Sequence, residues 1–184
     1  VMWFAARHGE AIKQANGYGF DVQVRGFSWQ TLKQARDAYI RRLNGIYENT
    51  LDRNRVDVEN GRASFVDPHT IRVNDNLFHG HRVLIATGAR PTLPDLPGSQ
   101  LGITSDGFFS LEQQPDHVAI IGSGYIAVEL AGVFNALGTE VTLIARGNRL
   151  LRGFDETLSQ SLAEHYREQG IDLQMNRSVT SLAQ

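Results

Sequence analysis

His117-Val118-Ala119-Ile120-Ile121-Gly122-Ser123-Gly124-Tyr125-Ile126-Ala127-Val128-Glu129 is the stretch on which the fold turns. Its first five residues are of strand length with Val118 to Ile121 apolar, its centre is a glycine-rich turn, and Tyr125 to Leu137 is an apolar run of helix length. After Gly138, Glu140 to Ala145 reads as a second strand, so the order is strand, turn, helix, strand. A chain that returns to a sheet through a helix lays its second strand parallel to the first, which predicts a Rossmann-like α/β unit. Gly122 permits the tight turn, Gly124 lets a pyrophosphate approach the backbone, and Ala127 in the third position keeps helix and strand close. The positive end of the helix then faces the turn, so dinucleotide phosphates are the expected ligand.

Working outward toward the C-terminus, the second strand ends at Ala145-Arg146, where an NAD-preferring site carries an acidic residue for the ribose 2′-hydroxyl. No acid stands there. Arg146 and Arg152 are instead able to form charge-assisted hydrogen bonds to a 2′-phosphate, with Arg149 as a further cation; the competing reading makes all three solvated surface residues. Glu129 is the lone carboxylate of a helix that is apolar almost all round. Burial there would demand a cation or a cofactor, whereas a solvent-facing position would not. Asp155 is expected to cap a further amphipathic helix ending at Gly170, and Ile171 to Met175 to form a third strand.

Toward the N-terminus, Val1 to about Asn16 is rich in helix formers and is expected to close at Gly17. Ser28 is placed to cap a second helix with Leu32, Ala35, Tyr39, Leu43 and Ile46 as one continuous buried stripe. Val56 to Ala86 breaks into strand-sized runs at Asn60-Gly61, Asp67-Pro68 and Asn74-Asp75-Asn76, predicting a small antiparallel β-meander. Val83-Leu84-Ile85-Ala86 is apolar without alternation, as in a strand buried on both faces, and Thr87-Gly88 ends it. Pro91, Pro94 and Pro97 stiffen the segment that follows, so a boundary is expected there, with Ser105-Asp106 capping a short helix beyond it. The expected organisation is residues 1–90, a linker with a short helix over 91–115, and a second nucleotide-binding segment over 116–184.

The 184 residues carry 41% hydrophobic and 21% charged side chains, which excludes disordered, collagenous and low-complexity classes. Eighteen Lys and Arg against twenty Asp and Glu supply no positive field for nucleic acid or anionic lipid, so neither is an expected partner. No apolar run approaches the ~20 residues of a membrane span and no signal pattern opens the chain, which leads us to expect a soluble, cytoplasmic protein. The absence of cysteine removes disulfides, thiolate metal sites and thiol nucleophiles from these residues. His79 and His81 share a strand face but have no third ligand at a recognisable spacing, so they read as surface histidines. Walker loop, nucleophile elbow and His-Glu-x-x-His patterns are all missing.

Ala86-Thr87-Gly88-Ala89-Arg90-Pro91, Ile103-Thr104-Ser105-Asp106-Gly107-Phe108-Phe109 and Gly124-Tyr125-Ile126-Ala127-Val128-Glu129 together resemble the glutathione reductases, a family of FAD- and NADPH-dependent disulfide oxidoreductases. Arg36-Asp37-Ala38-Tyr39, Ile46-Tyr47-Glu48-Asn49 and Ser64-Phe65-Val66-Asp67 extend the likeness in order and spacing over essentially the whole chain. The resemblance implies parts of two Rossmann-like domains, one for FAD and one for NADPH. It further implies electron flow from NADPH through flavin to a cysteine pair and on to glutathione disulfide, in an enzyme that is a homodimer when complete. By the same resemblance, Arg62 and Ala63 contact FAD and Thr87-Gly88 returns to the flavin nucleotide. Ser123, Ile126, Glu129, Arg146 and Arg152 contact NADPH, Tyr125 covers the nicotinamide pocket, and Tyr47 contacts glutathione. Ser123 stands where the family more commonly has Ala.

The resemblance also places the FAD fingerprint and a Cys-x-x-x-x-Cys pair just before Val1, with a lysine partner for Glu129, and the catalytic His-Glu pair far beyond Gln184. The chain opens in mid-pattern at Val1-Met2-Trp3-Phe4, and we expect an internal fragment whose own residues include no catalytic group. Among related enzymes Arg146 disfavours lipoamide dehydrogenase, while trypanothione and mercuric reductases remain open. The alternative of another class is a stand-alone NADP-binding or regulatory module without redox chemistry.

Overall fold

In the computed structural model, which describes residues 1–184, the elements run α1 (Met2–Ala15), α2 (Trp29–Arg53), β1 (Ala63–Asp67), β2 (Thr70–Val73), β3 (Asn76–His79), α3 (Ser105–Ser110), β4 (His117–Ile121), α4 (Tyr125–Ala136), β5 (Glu140–Ala145), α5 (Glu156–Glu168) and β6 (Asp172–Met175). They form a parallel sheet in the order β4-β5-β6 and an antiparallel sheet in the order β1-β2-β3. The α/β class with a small meander is thus the one the sequence predicts. Two compact units result, Val1–Arg36 with Pro91–Gln184 and, separately, Asp37–Arg90.

In the larger unit β5 is the central strand, pairing His117↔Glu140 through Ile121↔Ile144 with β4 and Thr142↔Asp172 through Ala145↔Met175 with β6. Alternation along β5 buries Val141, Leu143 and Ala145 completely or nearly so. Against them α4 contributes Val128, Ala131, Phe134 and Ala136, and α5 contributes Ala163 and Tyr166. Asp155 caps α5 as expected, its carboxylate accepting the Leu158 N–H at 3.2 Å. The Tyr166 hydroxyl donates to the Val128 carbonyl at 2.7 Å, and Gly132 leaves room for it: a Cβ there would lie 3.0 Å from the hydroxyl. Burial, reinforced by the Glu10 and Glu129 carboxylates, pushes this phenol from 10.0 up to about 12.

The N-terminal elements of this unit close the same core. Met2 and Ala6 of α1 are buried in it, and Gly9 lets α1 approach α4 so closely that a Cβ at Gly9 would stand 2.9 Å from the Ala136 carbonyl oxygen. Trp29 stacks on Phe134, meets Phe108 edge-on, and donates its indole N–H to the Leu111 carbonyl at 3.0 Å. Residues 1–36 therefore pack with 91–184 in one compact unit.

In the smaller unit β2 pairs antiparallel with both β1 and β3. The Asp67 carboxylate accepts the His69 N–H at 2.8 Å in the β1–β2 turn, and this bond, first among its contacts, holds the carboxyl below its usual range. Val73 is the one buried apolar side chain here.

Four sequence expectations need correcting. The first helix closes one 3-10 turn later than Gly17: Asn16–Tyr18 tightens, and Gly19 takes the left-handed conformation at φ 85°. Ser28 does cap α2, accepting the Thr31 N–H at 3.2 Å, but the stripe is buried only near the start, and Ala35, Tyr39 and Ile46 are exposed. Val83–Ala86 is no strand, because no neighbouring strand offers it a ladder, and Leu84 and Ile85 stand in the open. α3 starts at Ser105 with Thr104 in the cap position and no side-chain capping bond. By contrast β4 and β5 match the predicted bounds, and the helix between them stops one residue early.

Candidate functional site

The turn between β4 and α4 needs glycine's backbone at one position, Gly122. Gly122 has φ 143° while its N–H still donates to the Ile144 carbonyl at 2.9 Å, extending the ladder one residue past β4. A Cβ on Gly122 would touch the Ala127 Cβ at 3.4 Å, so the first turn of α4 lies close against the glycine turn. Gly124 sits at the cap of α4 in extended conformation, no side chain caps that end, and no acid occupies the first turn. A Cβ on Gly124 would meet nothing within 4 Å, so the space beside this cap residue is open. The arrangement suits an anion.

Next to this turn lies the loop that follows β5. Leu150 and Leu151 bury their side chains in the core, and the Leu151 N–H donates to the Ser123 carbonyl at 2.7 Å. Leu151 pays for that contact with a left-handed φ of 49°. The Asn176 and Arg177 N–H groups donate to the Gly147 and Ala145 carbonyls, each at 3.0 Å, fixing the other side. Glycine turn and arginine loop are thereby brought together, with Arg146 and Arg152 exposed and Arg149 turned inward. The Leu151–Ser123 tether escaped sequence reasoning; the buried pair Leu150-Leu151 among arginines was its only trace.

Tyr125 and Ile126 are exposed at the start of α4. Glu129 is exposed as well, so no burial cost calls for a cation or cofactor beside it. An apolar cavity of about 620 Å³ is bounded by Ile103, Ile121, Gly124, Ile126, Leu130 and Leu182, a lining suited to rings or hydrocarbon rather than phosphate. Arg62, Ala63, Thr87, Gly88 and Tyr47 belong to the smaller unit. Arg62 and Ala63 lie exposed at the start of β1, Gly88 is left-handed at φ 71°, and Tyr47 is exposed on α2. The His79 and His81 rings are 6.4 Å apart, and no group of three or more His, Asp or Glu side chains is arranged to hold a metal ion. No helix is long and apolar enough to cross a membrane.

Parallel strand order and the glycine-bearing strand-to-helix turn define a Rossmann-like α/β protein. The family described as "Pyridine nucleotide-disulphide oxidoreductase" matches residues 3–184, and the chain belongs to that family. It is 45% identical to the glutathione reductase of Schizosaccharomyces pombe over 96% of its length, and 41% identical to that of Yarrowia lipolytica over 99%. The glutathione reductase of Burkholderia cepacia is 38% identical over 99% of the chain. The chain spans only 40–42% of the length of these three relatives. Among solved structures it is similar to the HOCl-induced flavoprotein disulfide reductase RclA from Escherichia coli and to its Cu(II) complex. The TM-scores are 0.74 and 0.76 at 30% identity, over 84% and 86% of this chain and 37% and 38% of theirs.

Proposed function

We propose that this chain is part of a reductase that uses NADPH and FAD to convert glutathione disulfide to glutathione through a cysteine pair carried elsewhere in the protein. The observation that carries the reading is the junction of an uncapped glycine turn with a loop whose exposed arginines stand where an NAD site has an acid. The open space beside Gly124 fits a pyrophosphate, and the two guanidinium groups fit a 2′-phosphate. Gly122, Ser123, Gly124, Tyr125, Ile126, Glu129, Arg146 and Arg152 are assigned to NADPH; Arg62, Ala63, Thr87 and Gly88 to FAD; and Tyr47 to glutathione. Residues 1–90 are assigned to the later part of an FAD domain, 91–115 to a linker, and 116–184 to the first half of an NADPH domain.

When bound, the nicotinamide supplies a hydride and the flavin passes the electron pair to a disulfide. This chain's part is to hold phosphates with backbone N–H groups and to select the cofactor by charge. A homodimeric, cytoplasmic enzyme of thiol redox homeostasis is the setting that goes with the similarity to glutathione reductases.

The test is Arg146→Leu and Arg152→Leu, singly and together, with kcat/KM for NADPH and NADH at low salt in the full-length protein that carries this chain. Each lost charged hydrogen bond is worth roughly 1.5–3 kcal/mol, so each substitution lowers NADPH use about ten- to a hundredfold and leaves NADH nearly unchanged. Equal losses for both cofactors, or an unchanged ratio in the double variant, overturn the proposal.

A further inference from the structure

We infer that Arg149 is a positioning residue that acts through Arg152, and not a third contact to the phosphate. The inference rests on the NADPH reading above. Of the three arginines in the loop after β5, only Arg149 is turned back on its own backbone: one terminal guanidinium nitrogen donates to the Arg152 carbonyl at 2.6 Å. The other lies 3.9 Å from a Glu156 carboxylate oxygen in the first turn of α5, and the side chain keeps only 29% of its exposure. Arg146 and Arg152, in contrast, are exposed.

The need for such a brace follows from the loop's anchoring. Residue 151 is held on the glycine-turn side by the Leu151 N–H on the Ser123 carbonyl and by its buried side chain. The Leu151 carbonyl accepts the Phe154 N–H at 2.8 Å. Arg152 follows immediately, inside that turn and in a stretch exposed through Glu156. The planar fork of a guanidinium bonds the peptide of Arg152 while facing α5, which a single ammonium point does less well. With the Arg152 carbonyl held, its side chain leaves a defined backbone and searches fewer orientations when a phosphate arrives. Glu156 also lies in the first turn of α5, where the helix end favours a negative side chain.

The probes are adenosine 2′,5′-bisphosphate and adenosine 5′-monophosphate, titrated calorimetrically into the full-length protein carrying Arg149→Ala, Arg149→Lys, Glu156→Gln or Arg152→Leu, and the Arg149→Ala/Arg152→Leu pair. Thermal unfolding is recorded for each. Arg149→Ala is expected to weaken the bisphosphate roughly five- to twentyfold without changing the monophosphate, with Arg149→Lys and Glu156→Gln in between. In the Arg152→Leu background Arg149→Ala is expected to add nothing, since there is no side chain left to position. Additive losses overturn the inference by making Arg149 an independent contact, and an unchanged ratio in Arg149→Ala overturns it outright. Weakening of both probes with a lowered melting temperature in every Arg149 and Glu156 variant reduces the pair to fold maintenance and also overturns it. If Arg152→Leu alone leaves the ratio intact, the assignment of Arg152 to the 2′-phosphate fails and takes this inference with it, while the NADPH reading rests on the double variant. If Arg152→Leu lowers the ratio and Arg149→Ala does not, only the inference falls.

Discussion

Val141 to Ala145, apolar except at Thr142, and Val83 to Ala86 are both short runs ending in alanine, yet they meet opposite fates. The first becomes β5, hydrogen-bonded on both edges, with Leu143 and Ala145 wholly buried. The second pairs with nothing, and Leu84 keeps 89% of its exposure. Apolar composition supplies the driving force for burial, but a strand also needs partners for its N–H and C=O groups and a surface to bury against. The larger unit has both, in β4, β6 and α4; the smaller unit has neither at residues 83–86.

The comparison breaks most sharply at its two leucines. Leu143→Ala removes a fully buried side chain from the central strand and is expected to cost about 2–5 kcal/mol, while Leu84→Ala is expected to stay within about 0.5 kcal/mol. Urea unfolding of the 184-residue chain, followed by far-UV circular dichroism and by Trp29 fluorescence in a Trp3→Phe background, measures both. A loss at Leu84 comparable to that at Leu143 would show that residues 83–86 are packed after all.

Tyr166 tests the larger unit from another side, because the smaller one contains no comparable buried acid–base group. Its folded pKa, raised to about 12 from 10.0, favours the neutral phenol. That contribution is complete below pH 10 and is lost as the pH climbs through about 12. Wild-type stability should therefore fall roughly 2–3 kcal/mol more than that of Tyr166→Phe over this window. At neutral pH the substitution should cost about 1 kcal/mol for the lost bond to the Val128 carbonyl. Parallel pH profiles for the two proteins would mean that the phenol is not desolvated.

The same contrast explains what the sequence disclosed. The β4–α4–β5 frame was legible almost residue by residue because its signals are local: strand-length runs, glycines with a defined conformational duty, and a cap at Asp155. Failures came where the outcome depended on distant partners. Helical spacing placed Tyr39 and Ile46 on a stripe, but nothing in spacing reveals that the surface facing Trp29 and Leu32 gives out before them. In the site, the glycine turn followed from pattern and the arginines from the missing acid. The inward turn of Arg149 and the tether from Leu151 to Ser123 depend on side-chain direction and a left-handed φ, neither of which residue type encodes.

The finest test of the difference between the regions is one substitution made twice. Gly9 on α1 and Gly45 on α2 are both helical glycines, and replacing either by Ala gains about 1 kcal/mol or less of intrinsic helix propensity. At Gly45 a Cβ meets nothing within 4 Å, so that gain should appear whole, as a stabilisation of about 0.5–1 kcal/mol. At Gly9 the new Cβ would stand 2.9 Å from the Ala136 carbonyl oxygen, an atom of helix backbone that cannot rotate away. Relieving that overlap requires α1 to move off α4, and overpacking of this kind costs about 1–3 kcal/mol. The net effect at Gly9 should therefore be destabilising, opposite in sign to that at Gly45 and measurable by the same urea titrations. Equal gains at the two positions would mean that the α1–α4 contact yields at no cost, and the larger unit would then be held by the sheet, α4 and α5 without help from α1.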